Sequence, residues 1–358
     1  MTRSFRLPRT ALVGWPRSRQ LSWPTAVAES RSVVRAVLVC GGAGYIGSHM
    51  AKCLATRGYA VTVLDNLATG HREAVRWGDL IEADLLDRPS LERVFSGRQF
   101  DAVMHFCARS LVGESMVRPY DYYANNVIGT LNLFEAMRHS GVDRLVFSST
   151  AAIFGEPVAE TIDEMHPKQP INPYGASKLM VERILSDAAQ AHGLRSVALR
   201  YFNAAGASPD GDIGESHRPE THLIPNVLKA VLGQGPGLKV FGDDYATPDG
   251  TCVRDYVHVD DLAQAHELAL GYMDEHEGAH AFNLGNGNGF SVRQVIEAAG
   301  RVTGRDVPFE VAPRRAGDPA VLVAASGKAR RELGWAPVHE SIESIIESAW
   351  RWHQSPAF

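Results

Sequence analysis

The sequence predicts an α/β fold: a Rossmann-like, doubly wound parallel sheet followed by a smaller mixed α/β C-terminal lobe. Three observations predict it. Short apolar runs alternate with helical stretches from residue 35 to about residue 203, as strands joined by crossover helices do. The first strand meets the first helix in a glycine turn, with Gly41, Gly44 and Gly47 spaced three apart. The next strand ends in an acid, Asp65.

The elements follow in order. Residues 35–39 form the first apolar strand, and a helical pattern runs through Met50, Leu54 and Arg57. Free N–H groups at that helix N-terminus, with the positive end of its dipole, favour a phosphate. The glycines let the backbone approach it closely. Strand 60–64 ends in Asp65, placed to accept from ribose hydroxyls and to repel a 2′-phosphate, which favours NAD over NADP. Strand 80–83, helix 89–95, strand 102–106, a long helix 120–139 and strand 144–147 continue the alternation. The last runs into Ser148, Ser149 and Thr150. Ligands of open parallel sheets lie beyond the carboxyl ends of the strands, so these hydroxyls are expected to line the site.

Helix 174–191 opens on Asn172 and Pro173, a cap and a first-turn proline. Tyr174 and Lys178 are four apart and share a face. A phenol, with a pKa of about 10, needs nearby positive charge to act as a base at neutral pH. With that charge it can take a proton from a sugar hydroxyl while hydride leaves the same carbon. Strand 196–200 closes the first part. Beyond it, 206–221 is a polar loop over the site. Helices 225–232, 260–272, 291–302 and 341–352 and strands 238–241 and 280–283 make the smaller lobe. Its loop arginines, Arg254, Arg314 and Arg315, suit a diphosphate.

Composition narrows the classes. The chain of 358 residues is 45% hydrophobic and 22% charged, with a net charge of −5. That is an ordinary globular balance, with no basic patch pointing to nucleic acid or membrane partners. No run of 18 or more apolar residues is present, so no transmembrane helix is expected. The four cysteines form no CxxC and read as core residues of a cytoplasmic protein. The 14 histidines form no HExxH or other recognised ligand spacing, so no structural metal is expected. Residues 1–34 carry Arg3, Arg6, Arg9, Arg17, Arg19 and Arg31 against one acid, Glu29. They read as a disordered leader or as a mis-called start. The expected domains are therefore 35–203 for the cofactor and 204–358 mainly for the substrate.

Read in sequence, GGAGYIGSH (41–49), LDN (64–66), HFCARSLVGES (105–115), YYANNVIGT (122–130), FSSTAAIFGE (147–156), NPYGASKLMVE (172–182), LRYFNAAGA (199–207), HLIP (222–225), GTCVRDYVHVDDLA (250–263), NLGNG (283–287) and APRRAGDPA (312–320) carry a resemblance. Together they resemble the UDP-glucose 4-epimerase family of the extended short-chain dehydrogenase/reductase superfamily. The resemblance implies an NAD-dependent isomerase that interconverts UDP-galactose and UDP-glucose through a 4-keto intermediate. Hydride would be taken and returned by bound NAD, with Tyr174 as acid/base, Lys178 beside it and Thr150 assisting. It implies cofactor contacts at Gly41, Gly44, Tyr45, Ile46, Gly47, Asp65, Asn66, Asp84, Leu85, Phe106, Ala108, Asn125, Lys178 and Phe202. UDP-sugar contacts fall on Thr150, Tyr174, Asn203, Leu223, Phe241, Arg254, Arg315 and Asp318. Leu322 gates the sugar C2 pocket and, at intermediate size, implies weaker activity on UDP-N-acetylhexosamines. A homodimer through the helices at 120–139 and 174–191 is implied as well. Two positions depart from the family pattern: Ser110 stands where Lys is frequent, and His222 where some members carry Asn. Related dehydratases use an Asp-Glu pair after the hydroxyl residue, whereas Ala151 and Ala152 stand here. A non-catalytic NAD-sensing regulator would have no need of Tyr174 and Lys178.

Overall fold

The first strand, β1 (Ala36–Cys40), is buried along almost its whole length, as a central parallel strand must be. The computed structural model describes residues 36–315 and 318–358; the predicted leader at 1–34 lies outside the described residues. The glycine turn leads to α1 (Tyr45–Thr56), then β2 (Ala60–Asp65), β3 (Asp79–Glu82), α2 (Arg88–Gly97) and β4 (Ala102–His105). After α3 (Val112–Val117), α4 (Pro119–Tyr123) and α5 (Gly129–His139) come β5 (Arg144–Thr150), α6 (Pro173–His192) and β6 (Arg195–Tyr201). The second half holds β7 (Asn203–Ala205), α7 (Leu223–Val231), β8 (Leu238–Phe241), β9 (Val253–Arg254), β10 (Tyr256–His258) and α8 (Val259–Glu275). It ends with β11 (Ala279–Leu284), β12 (Phe290–Ser291), α9 (Val292–Thr303), β13 (Phe309–Ala312), β14 (Val321–Leu322) and α10 (Ile342–Gln354).

The main sheet has seven strands in the order β11-β6-β5-β4-β1-β2-β3, all parallel. The order reverses between β1 and β4, and that switch point opens the crevice in which a doubly wound sheet binds ligands. Alternate side chains serve the two faces. Val37 and Val39 join Met50 and Leu54 of α1 and Leu262 and Leu270 of α8. Leu38 and Cys40 join Leu91 of α2, Leu133 of α5 and Val181 of α6. A separate core under the second lobe is built by Ile224 and Leu228 of α7, Val295 of α9 and Ile345 of α10. The four cysteines are all unpaired.

Three features differ from the sequence expectation. The lobe boundary near residue 203 is not a clean cut: β11 pairs along β6 in the main sheet, and α8 packs on it. The described residues accordingly fall in one compact unit. The helix expected over 120–139 is interrupted by a π turn at Ala124–Ile128. The cause is Asn126, buried there, which accepts from the Arg109 N–H at 2.9 Å and donates to Ser177 Oγ at 3.0 Å. A wide turn brings this short side chain onto both partners. Six strands of two to four residues, β7, β9, β10, β12, β13 and β14, are too short to show a period, and only their partners define them.

Candidate active site

The glycine turn closes on itself. Gly41 has φ +82°, and its N–H donates to Leu64 O at 2.7 Å. A Cβ on Gly41 would lie 2.8 Å from the backbone of Phe106 and Cys107, and one on Gly47 would lie 2.1 Å from Gly41 O. Only glycine fits either place. Gly44 is the N-cap of α1 and no side chain caps that helix, which leaves its first turn available to an anion. Tyr45 reaches across to donate to Gly206 O at 2.6 Å, while Ile46 packs into the core beneath.

The acid at the end of β2 braces this turn. Asp65 is buried and accepts from Ala43 N at 3.0 Å and Leu67 N at 2.8 Å. Burial raises its pKa and the backbone donors oppose the rise. Each carboxylate oxygen keeps a further lone pair for a ligand hydroxyl. Asn66 donates to Asp84 at 2.8 Å, and Leu85 lies against Gly129. After β4, Phe106 lies beside Gly41, Ala108 follows two residues on, and Asn125 donates to Asn126 at 3.0 Å. The glycine turn, the uncapped helix and a carboxylate with spare acceptor capacity fit a dinucleotide.

The Tyr174–Lys178 pair sits over the end of β5. Asn172 caps α6 by accepting from Gly175 N at 2.8 Å, with Pro173 in its first turn. Tyr174 stands beside Thr150; burial pushes the phenol pKa up and the Thr150 hydroxyl opposes the rise. Lys178 is buried, donates to Ser148 O at 2.7 Å and lies 4.6 Å from the Phe147 ring centroid. Burial pushes Lys178 down to about 7, against the opposing pull of Glu182. The expectation that all three hydroxyls line the site needs correction. Ser148 is bonded to Tyr201 OH. Ser149 turns away to donate to Glu182 at 2.6 Å, and Glu182 in turn holds Arg200. Strand alternation turns Ser149 to the other face and Tyr201 occupies Ser148, which leaves Thr150 as the hydroxyl beside Tyr174.

Lys178 makes folding pH-dependent in a defined sense. Its ordinary pKa is 10.5 and its folded value about 7. Between these values the unfolded chain holds a proton that the folded chain has released, so stability from this group rises with pH. In cofactor-stripped protein, urea unfolding is expected to show the wild-type stability growing relative to Lys178→Met from pH 7 toward 10. A difference that stays flat would contradict the assignment.

The remaining expected contacts fall into two groups. Arg254 pairs with Asp318, and Leu322 stands opposite Arg254 in the β9–β14 register. The Arg315 guanidinium lies 4.0 Å from the Phe241 ring centroid. Leu322 and Phe202 pack against the cluster of Ile153, Phe154 and Ile162, which starts three residues after Thr150, and this links the group to the catalytic end. Asn203 donates to Asp255 O at 2.8 Å, and Leu223 is the first residue of α7. Sequence reasoning missed the support behind Tyr174: Asn126 donates to Ser177 Oγ, and Ser177 Oγ donates to Tyr174 O at 2.7 Å. An Asn-Asn pair inside a helical stretch was the signal for it.

Residues 37–285 match the NAD dependent epimerase/dehydratase family. The chain belongs to that family. A member from Halalkalibacterium halodurans, named UDP-glucose 4-epimerase, is 52% identical over 319 residues, covering 89% of this chain and 96% of its own. The crystal structure of the UDP-glucose 4-epimerase from Brucella ovis, in complex with NAD, superposes with a TM-score of 0.86. It is 51% identical and covers 88% of this chain and 97% of its own. The Bifidobacterium longum enzyme, in complex with NAD+ and UDP, gives a TM-score of 0.86 at 38% identity, over 90% of this chain and 98% of its own. This epimerase/dehydratase family member carries its glycine turn, Asp65, Thr150, Tyr174 and Lys178 within the matched span.

Proposed function

We infer that the chain is an NAD-dependent UDP-glucose 4-epimerase, interconverting UDP-galactose and UDP-glucose at C4. The observation that carries this reading is the Thr150–Tyr174 contact at the end of β5, with Ala151 and Ala152 following Thr150. One proton-handling group without an added acid pair suits oxidation and re-reduction at a single carbon, and not elimination of water. When bound, NAD supplies the hydride acceptor and returns the same hydride.

The chain's own residues do the rest. Tyr174 takes the proton of the sugar 4-hydroxyl and later gives it back. Thr150 donates to the phenolate oxygen while that proton is away. Lys178 has three donors, of which Ser148 takes one, and its charge favours phenolate. Arg254 and Arg315 hold the diphosphate, so the UDP stays anchored while the keto-sugar turns over within the site. Asp65 and the glycine turn keep the cofactor in place through turnover. Leu322 narrows the C2 pocket without closing it, which admits N-acetylated sugars at lower rates.

Purified protein given UDP-galactose and no NAD is expected to produce UDP-glucose up to a fixed mixture, and UDP-N-acetylgalactosamine to react more slowly. No conversion, even with NAD added, would overturn the reading. We place the enzyme in the cytoplasm, as its unpaired cysteines suit, and as a homodimer. Val117, Tyr120, Ile128, Leu131 and Met180 are exposed apolar side chains along α3 to α6, and a dimer would cover them. Sedimentation is expected to give twice the chain mass; the single mass would remove the dimer. No helix among the described residues is long and apolar enough to cross a membrane.

A further inference from the structure

We propose that Glu215, His217, Glu220 and His222 bind one divalent transition-metal ion, with zinc as the best match. The ion clips the 206–222 loop and the start of α7 beside the cofactor turn. The four donors arise within eight residues, as Glu-x-His-x-x-Glu-x-His. All four donor atoms lie within 4.8 Å of one another. Glu215 Oε1 is 2.7 Å from His222 Nδ1 and 3.2 Å from His217 Nδ1. Glu220 is 3.0 Å from His222 Nδ1 and 3.6 Å from His217 Nδ1. A tetrahedral zinc with bonds of about 2.1 Å sets its ligands roughly 3.4 Å apart, so small shifts would seat the ion. Two imidazole nitrogens and two carboxylate oxygens form a closed four-ligand set of the structural kind.

A second observation points to a ligand. The Glu215 and Glu220 side chains are only 5% and 4% exposed, and among the described residues neither meets a lysine or arginine. Buried like charges require a compensating cation. His217 Nδ1 and Glu220 Oε2 are both buried, have no hydrogen-bond partner and face each other. An ion between them satisfies both. The only other neutralisation open to the cluster is a proton on each imidazole, which supplies the same two positive charges.

The position explains what the clip would do. Trp352 Nε1 donates to Glu215 O at 3.0 Å. His71 meets Ser216 O at 3.0 Å, and Tyr45 donates to Gly206 O. The loop therefore lies against the glycine turn at Gly206, and a cavity of about 30 Å³ is lined by Gly44 and Tyr45 on one side and Ser216 and His217 on the other. His222 is the N-cap residue of α7, so the ion also fixes where Leu223 begins. This site is separate from Tyr174 and takes no part in the chemistry.

The test uses the full-length holoprotein. Elemental analysis of protein purified without chelator is expected to give about one zinc per chain. After chelation, titration with cobalt(II) is expected to saturate near one equivalent, with the intense visible band of four-coordinate cobalt. His217→Gln/His222→Gln should lose that band, and His276→Gln, far along the chain on exposed surface, should keep it. If circular dichroism shows the double variant unfolded, Glu220→Gln takes its place and must weaken cobalt binding at least about tenfold. Wild-type protein with neither zinc nor a cobalt band would overturn the proposal in favour of the protonated cluster. So would a band that survives in the folded variants.

Discussion

Tyr174→Phe is expected to lower kcat on UDP-galactose by roughly 10²- to 10⁴-fold, the span general acid–base catalysis commands. The side chain is held by its partners and not by bulk alone. Ser177 anchors its backbone carbonyl, Asn126 anchors Ser177, and the Thr150 hydroxyl stands beside the phenol. Phenylalanine fills the same volume, so the fold and the bound cofactor should survive. The loss should appear in kcat with KM nearly unchanged, because the residues proposed to anchor the nucleotide are Arg254 and Arg315, not Tyr174. A variant that keeps wild-type kcat would remove Tyr174 from the proton-transfer role.

Asp255→Ala is expected to be the most destabilising single change outside the glycine turn. Asp255 is fully buried. Its carboxylate accepts from Asn286 N at 2.6 Å, Gly287 N at 3.0 Å and Ala324 N at 3.1 Å. Its backbone carbonyl holds Asn203, both through N–H and through the side chain. One residue thus joins β7, the turn after β11 and the end of β14. Alanine leaves three N–H groups without acceptors, one buried and two part-buried; at about 1–3 kcal/mol for each buried group, the loss is at most roughly 3–9 kcal/mol. Urea unfolding should show a lower midpoint at unchanged slope, with Asp255→Asn in between because one acceptor oxygen remains. A midpoint equal to wild type would contradict this account of the lobe's assembly.

The main sheet was legible because each of its strands, four to seven residues long, carries an apolar stretch with a turn or helix signal at its end. The glycine turn was legible because its geometry admits no other residue. What escaped reading depends on contacts distant in sequence. Strand β9 is two residues, Val253 and Arg254, and exists through pairing with β12 and β14. Asp255 reads as one acid among many until its three donors, 31 to 69 residues away, are brought to it. The run Ser148–Thr150 shows three like hydroxyls, but the pleat sets Ser149 apart and the distant Tyr201 takes Ser148, so only the fold singles out Thr150. The His and Glu residues of the 215–222 loop matched no familiar ligand spacing. The alternation of the two residue types at intervals of two, three and two was nonetheless present in the sequence.

The most direct test of the central claim follows the hydrogen at C4. UDP-galactose carrying deuterium at C4 is incubated with the enzyme in ordinary water, without added NAD, and the product UDP-glucose is analysed by mass spectrometry and NMR. If the hydride is taken and returned within one closed site, the deuterium remains at C4 of the product with inverted configuration. Product that carries solvent hydrogen at C4 would mean proton abstraction from carbon, and would contradict the account.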